Sequence, residues 1–144
     1  MIKKILTYPQ DKEILSQISE EVDNIEEIKD LIQDMRDTMH SDPFGRGISA
    51  IQIGVPKRVC IILWNGKETV LINPVITRTR GEKTYKEGCL SAPGIFKDIK
   101  RAQKVWCSYL DENGQQQEIA EGGRASDIIQ HELDHFEGKC QVYL

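Results

Sequence analysis

A glycine-bounded segment near the end of the chain restricts its fold more than any other feature. Gly122-Gly123 breaks the pattern on one side and Gly138 on the other, and residues 124–137 between them are predicted to form a helix. The apolar pair Ile128-Ile129 and the later Phe136 indicate that one face of this helix is buried. The other elements must therefore pack against it.

Apolar spacing predicts the remaining elements. Apolar residues recur at three- and four-residue steps over residues 25–40, which predicts a first helix, and Asn24 and Glu27 have the spacing of a capping box at its start. Strands are predicted for residues 58–64, 70–76 and 105–110, and for a short polar segment ending at Ala120 after an Asn113-Gly114 hairpin turn.

The order of helix, strands and helix shows no regular β-α alternation. It predicts an α+β fold with a mostly antiparallel sheet packed on the last helix. With 144 residues, the chain has room for one domain, expected to span residues 1–144.

Composition excludes several classes of protein. The net charge is −4, and Lys3-Lys4 is too short to form a basic arm, so no nucleic-acid or membrane partner is expected. The apolar start is cut short by Thr7-Tyr8-Pro9, so it does not form a signal peptide, and a cytoplasmic location is expected. In that compartment, the 4 cysteines are expected to be free thiols or metal ligands rather than disulfides.

The predicted last helix carries the motif H-E-L-D-H at residues 131–135. Residues four apart project from one helical face, so His131 and His135 are placed to chelate a single metal ion. The carboxylate of Glu132 can reach a water activated by that ion, accept its proton and pass the proton to a leaving amine.

A catalytic zinc-like site needs a third protein ligand. Cys89 has the most suggestive setting, since it lies in the glycine-containing segment 87–91, whereas Cys60 and Cys107 lie within apolar strands. Cys140 follows the helix closely, and spacing leaves it open as a ligand. Gln52 is either a donor to a developing oxyanion or a buried glutamine bonded to backbone, and the sequence favours neither.

Three segments in order resemble the three motifs of the peptide deformylases. They are G-R-G-I-S-A-I-Q-I-G at residues 45–54, E-G-C-L-S at 87–91 and Q-H-E-L-D-H at 130–135. Residues 5–9 and 101–105 also resemble the corresponding stretches of that family. The resemblance implies a fold of antiparallel strands around a central helix that carries the H-E-x-x-H motif.

The resemblance implies roles for the motif residues. Cys89, His131 and His135 would hold one divalent ion, with ferrous iron usual and zinc or nickel as alternatives, and Glu132 would act as general base and then acid. The substrate would be the N-formylmethionyl end of a peptide, or of a nascent chain at the ribosome, and the products would be formate and a free amine. The protein would act as a monomer or weak homodimer.

The resemblance also implies supporting roles. The side chain of Gln52 and the backbone N–H of Leu90 would form the oxyanion hole. Glu87 and Arg101 would form an ion pair that orients the segment bearing Cys89.

Several residues depart from the family pattern around the substrate. The family's usual G-L-A-A-P-Q is replaced by G-I-S-A-I-Q, which begins at Gly47, and Arg46 stands where an apolar residue is usual. Arg124 and Asp127 precede the histidines where apolar residues usually line the methionine pocket; they either pair with one another or face the pocket. The chain ends at Leu144, so a C-terminal helix is expected to be absent. A divergent member with a narrower or more polar pocket is therefore expected.

Two other functions are compatible with the pattern. H-E-x-x-H also occurs in zinc peptidases, but these would normally use a histidine or glutamate as third ligand, and the only other histidine is His40 in the first predicted helix. A non-catalytic protein that holds metal or a formylated peptide is the second alternative. The presence of both Glu132 and Gln52 argues against it.

Overall fold

The computed structural model describes all 144 residues, with helices at both ends of the chain and strands between them. The elements are α1 (Lys12–Leu15), α2 (Lys29–His40), β1 (Gly47–Ser49), β2 (Val59–Trp64), β3 (Lys67–Arg80), β4 (Lys83–Cys89), β5 (Ala92–Arg101), β6 (Lys104–Leu110), β7 (Gln116–Gly122) and α3 (Gly123–Phe136). Two 3-10 turns, Ile25–Ile28 and Ala50–Ile53, precede α2 and β2. The predicted α+β class is confirmed.

The strands form two separate antiparallel sheets. A five-stranded sheet has the order β1-β2-β3-β6-β7, and β4 pairs with β5 in a two-stranded sheet. In β2 the residues from Val59 to Ile62 are all buried, as expected for an apolar strand in the middle of a sheet. No helix is long and apolar enough to cross a membrane.

The two longer helices cover the five-stranded sheet and bury its core. One apolar cluster joins α2 to the sheet through Met35, Met39, Ile48 and Ile61. A second cluster joins α3 to the sheet and consists of Cys60, Ile62, Leu71, Val105, Tyr109, Ile129 and Phe136. The helix that carries the histidines is therefore fixed along its apolar face.

The predicted helices and strands are present, but the structure differs from the prediction in several places. Helix α1 and strand β1 were not predicted, and β3 extends beyond the predicted residues 70–76 to Arg80. The first predicted helix opens with a 3-10 turn, and Asn24 caps it by accepting the N–H of Glu26 instead of forming a reciprocal box with Glu27. The hairpin of β4 and β5 was not predicted. Cys89, expected in a turn, is the last residue of β4.

The termini of the chain meet beside α3 and the hairpin. The N–H groups of Leu6 and Tyr8 donate to the carbonyls of Gln52 and Ser91. The N-terminal segment therefore runs along the 3-10 turn at Ala50–Ile53 and the turn between β4 and β5. The ring of Tyr8 stacks on Tyr143 with centroids 4.5 Å apart. A third apolar cluster, Ala92, Ile99, Cys140 and Val142, joins the hairpin to the C-terminal segment. All four cysteines are free thiols, as predicted.

Candidate active site

Helix α3 presents both imidazoles of its motif on one buried face. The rings of His131 and His135 have centroids 5.1 Å apart, and both residues are buried. Nδ1 of His131 lies 2.8 Å from Oε1 of Glu87, so the N–H at Nδ1 donates to that carboxylate. This leaves Nε2 of His131 as the nitrogen available to a metal ion.

The sulfur of Cys89 reaches the same point from the hairpin. Its Sγ lies 3.4 Å from Nε2 of His135 and 3.6 Å from Nε2 of Gln52. Cys89 is the end of β4, and Ala92, its partner across the turn, begins β5. The structure thus brings together Cys89, His131 and His135, which the sequence had placed in one site.

A fourth donor, Cys140, completes this cluster. The ligand atoms of Cys89, His131, His135 and Cys140 all lie within 4.8 Å of one another. The neighbouring Cys89, His135 and His131 lower the pKa of the Cys140 thiol, although burial opposes this, and the proximity of Cys140 in turn raises the pKa of Cys89. Imidazole nitrogen and thiolate sulfur suit zinc, ferrous iron or nickel better than magnesium or calcium. The donors therefore fit a transition-metal ion.

The carboxylate of Glu132 is held in a tight, buried position beside this cluster. The hydroxyl of Ser49 lies 3.1 Å from Oε1 of Glu132 and 2.9 Å from its backbone carbonyl. On the other side, a Cβ added at Gly47 would lie only 2.7 Å from Oε2 of Glu132. Burial raises the pKa of Glu132, as suits a group that must both accept and release a proton.

Ser49 was not singled out from the sequence. A serine among apolar residues carries no signal of its own, and its contact with Glu132 joins residues 83 positions apart. Its position in the first motif, three residues before Gln52, was the only available indication.

Gln52 makes the backbone hydrogen bond that one of the two interpretations left open by the sequence requires. Its Oε1 accepts the backbone N–H of Ser49 at 2.9 Å, as a buried glutamine bonded to backbone would. Its Nε2 donates to the hydroxyl of Ser91 at 3.0 Å and faces Cys89. The amide group is thus fixed in orientation, with its N–H groups turned toward the cluster.

A buried ion pair supports the hairpin from behind. Arg101 donates from Nε and Nη2 to both carboxylate oxygens of Glu87, at 2.7 and 2.8 Å, and from Nη1 to Asp134 at 2.6 Å. Burial alone would raise the pKa of Glu87, but the hydrogen bonds from Arg101 and His131 hold it far below its usual value. Arg101 therefore links the hairpin to α3 at the level of the histidines.

A cleft of about 650 Å³ opens onto this cluster. A volume of this size accommodates a small ligand or a few residues of a peptide. The lining includes the sequence-predicted residues Arg46, Gly47, Gln52, Glu87, Cys89, Leu90, Arg124, Asp127, His131 and Glu132, and the unpredicted residues Phe44, Trp64, Ile95 and Phe96.

Charged residues lie on one wall of the cleft, and they pair with one another. Arg124 donates to Asp127 at 2.8 Å and to the carbonyl of Lys86 at 3.0 Å. Burial, together with the neighbouring carboxylate of Glu87, raises the pKa of Asp127 to about 7. Of the two arrangements that the sequence allowed, the mutual pair is present, and both residues also line the cleft.

Together these elements define a class of protein, the metal-dependent hydrolases that carry H-E-x-x-H on a helix. A family model described as Polypeptide deformylase matches residues 2–142. The chain belongs to this family.

Relatives and solved structures agree with this assignment. The peptide deformylase of Aquifex aeolicus (strain VF5) is 44% identical, over 96% of this chain and 84% of the relative. That of Pelagibacter ubique (strain HTCC1062) is 42% identical, over 95% of this chain and 82% of the relative.

Two crystal structures are similar to the whole fold. A peptide deformylase from Legionella pneumophila has a TM-score of 0.90 and 40% identity, covering 96% of this chain and 83% of its own. One from Synechococcus elongatus, in complex with actinonin, has a TM-score of 0.86 and 40% identity, covering 92% and 73%.

Proposed function

We propose that this protein removes the N-formyl group from N-formylmethionyl peptides and releases formate. The observation that carries this proposal is the convergence of Cys89, His131 and His135 beside the buried carboxylate of Glu132, at the floor of an open cleft. We assign one divalent ion per chain to these three residues, ferrous iron in the native protein with zinc or nickel as substitutes.

The residues of the chain would divide the chemistry between them. The bound ion would act as a Lewis acid and lower the pKa of a water molecule. Glu132 is buried away from bulk solvent. Its carboxylate would take the proton of the activated water and deliver it to the amide nitrogen of the leaving peptide. The side-chain amide of Gln52 and the N–H of Leu90 would donate to the oxygen on which negative charge develops.

The environment of Glu132 supports this role. Its carboxylate accepts only one hydrogen bond, from Ser49, and it is otherwise enclosed by Gly47 and the cluster. A carboxylate with a raised pKa is a stronger base than an ordinary glutamate, and once protonated it retains the proton until the amide nitrogen accepts it. Glu87 and Arg101 would act indirectly, by fixing the ring of His131 and the end of β4.

The charged residues on one wall of the cleft favour a substrate whose first side chain is more polar than methionine. Arg124 and Asp127 both line the cleft, and the side chain of Arg124 is 42% exposed while that of Asp127 is only 4% exposed. Arg46 lies over the ring of Trp64, with 5.8 Å between its guanidinium carbon and the ring centroid. We propose that Gly47, Arg46, Arg124 and Asp127 contact the substrate, and that the pocket for its first side chain is more polar than is usual in the family.

The cluster contains no third histidine or glutamate, which a zinc peptidase would normally use as its third ligand. His40 is half exposed on α2, and its Nε2 bonds to Glu68 at 2.7 Å instead of contributing to the cluster. We further propose a cytoplasmic protein that acts on nascent chains at the ribosome, as a monomer or weak homodimer.

A formate-release assay on anaerobically purified, metal-analysed protein tests the proposed function. We expect one ion per chain and formate from a formyl-Met peptide, with no cleavage of internal peptide bonds. A fully metallated protein that releases no formate from any formylated peptide would contradict the proposal. Comparing formyl-Met with formyl-norleucine, formyl-Gln and formyl-Glu peptides tests the pocket, and an unchanged strong preference for formyl-Met would refute the altered preference.

A further inference from the structure

The sulfur of Cys140 is the one donor in the cluster to which the proposed chemistry gives no task. After α3 the chain turns at Gly138, which has a φ of +66° and no room for a Cβ against the backbone of Ser16. The turn sends the following residues back toward the hairpin, and Cys140 is only 1% exposed there. This reversal, three residues after His135, brings the sulfur of Cys140 close to that of Cys89.

The separations suit a single ion. Zinc–sulfur bonds of about 2.3 Å and zinc–nitrogen bonds of about 2.0–2.1 Å place the ligand atoms of one tetrahedral ion roughly 3.3–3.8 Å apart. The four donor atoms all lie within 4.8 Å of one another, at most about 1 Å beyond the upper end of that range. Two of them, Sγ of Cys89 and Nε2 of His135, are already 3.4 Å apart.

The surroundings of Cys140 also point its sulfur toward the cluster. Its apolar neighbours Ala92, Ile99 and Val142 enclose the residue from the hairpin and the C-terminal segment. Its sulfur lies within 4.8 Å of the ligand atoms of Cys89 and His135. Cys107, by contrast, is buried in β6, where its Sγ donates to the carbonyl of Ser108 at 3.8 Å, and it lies outside the cluster of metal donors.

We propose that Cys140 is a fourth protein ligand of the metal ion, so that the resting site is a set of two thiolates and two imidazoles. This inference rests on the proposed metal site but not on the reaction. Four protein ligands satisfy a tetrahedral ion, so access of water requires a fifth coordination position or loss of the Cys140 sulfur. Two thiolates also neutralise a dication, which weakens its action as a Lewis acid.

X-ray absorption on the zinc-loaded full-length protein, kept reduced with a phosphine, tests the assignment. We expect two sulfur ligands in the wild type and one in Cys140→Ala and Cys140→Ser. With cobalt in place of zinc, the thiolate-to-cobalt absorption should fall to about half in both variants. Cys107→Ala, which removes a buried thiol outside the cluster, should leave both signals unchanged.

One sulfur in the wild type, or equal sulfur counts in the wild type and Cys140→Ser, would overturn the proposal. The wild-type count decides the matter even if a variant fails to fold. The formate assay is a separate readout. Two sulfurs without formate release would refute the proposed reaction and leave the fourth ligand standing, whereas formate release with one sulfur would do the reverse.

Discussion

His131 and Arg101 share one carboxylate. Glu87 accepts the N–H of His131 on Oε1 at 2.8 Å, and the guanidinium of Arg101 binds both of its oxygens. A single buried side chain thus sets the tautomer of an imidazole on α3 and connects it to the neighbouring hairpin.

Replacing that carboxylate should weaken metal binding. In Glu87→Gln the shape is kept but the charge is lost, so His131 becomes a poorer ligand and Arg101 loses its main partner. We expect metal affinity to fall about 10- to 100-fold, measured by competition with a chromophoric chelator. Glu68→Gln is the matched control, because Glu68 also binds one histidine and one arginine, His40 and Arg36, but on the surface. Equal losses in both variants would contradict the role of Glu87.

Removing the carboxylate of Glu132 should separate chemistry from metal binding. Glu132→Ala deletes the proposed proton carrier but none of the proposed ligands. We expect formate release to fall about 10²- to 10⁴-fold while the metal content stays at the wild-type level. Loss of the metal together with activity would show that Glu132 has a structural task instead.

A methyl group at Gly47 should disturb the same carboxylate from the opposite side. The added Cβ would lie 2.7 Å from Oε2 of Glu132, so the side chain must move. We expect Gly47→Ala to lower kcat for formate release at least tenfold, with little change in metal content, because a displaced base cannot reach its proton. Gly122→Ala is the control, since a Cβ there meets only the carbonyl of Gln103, at an ordinary 3.7 Å. Unchanged turnover in Gly47→Ala would contradict the tight placement of Glu132.

The stability of the metal-free protein should depend on pH through Asp127. Its pKa is raised to about 7 from an ordinary value of 3.8, so the fold favours the protonated form. As pH rises through this interval, the unfolded chain has already lost a proton that the folded protein still binds, and the free energy of unfolding falls. Asp127→Asn resembles the protonated carboxyl at every pH. We therefore expect the stability of the variant relative to the wild type to rise as pH increases from about 4 to 7.

Urea denaturation of both proteins at several pH values measures this difference. The same experiment on Asp111→Asn provides a contrast, because hydrogen bonds from the backbone of Gln115 lower the pKa of Asp111. That variant should instead lose stability relative to the wild type as pH rises from 2 to 5. A pH-independent difference for Asp127→Asn would show that its carboxyl is ionised throughout.

The sequence predicts elements well where apolar residues set the period. The run from Val59 to Trp64 and the stripe of α2 are recognisable because their buried positions are apolar. The hairpin of β4 and β5 was missed because two of its buried positions, Glu87 and Arg101, carry charge. Charged residues normally face solvent, so the alternation of buried and exposed positions in this hairpin does not appear as an alternation of apolar and polar residues.

The residues of the site likewise fall into those that local sequence spacing predicts and those that it does not. Spacing on a helix brought His131 and His135 together without any knowledge of the tertiary fold. The position of Ser49 depends on long-range packing between the end of β1 and α3, and that of Cys140 depends on the reversal at Gly138. Local pattern does not encode such contacts, and for this reason Cys140 remained an open candidate.

The separation of the two sheets affects how the protein responds when its ion is removed. The β4–β5 pair shares no ladder hydrogen bonds with the five-stranded sheet. Arg101, Glu87 and the carbonyl of Lys86 bond to α3, and Lys97 bonds to the C-terminal segment. The metal donors at Cys89 and Cys140 add a further link between these layers. Chelation should therefore speed amide hydrogen exchange in Lys83–Arg101 while β2 and β3 stay protected. Removal of the metal would then open the β4–β5 hairpin locally. The metal ion would stabilise the contact between this hairpin and α3 in addition to its role in catalysis.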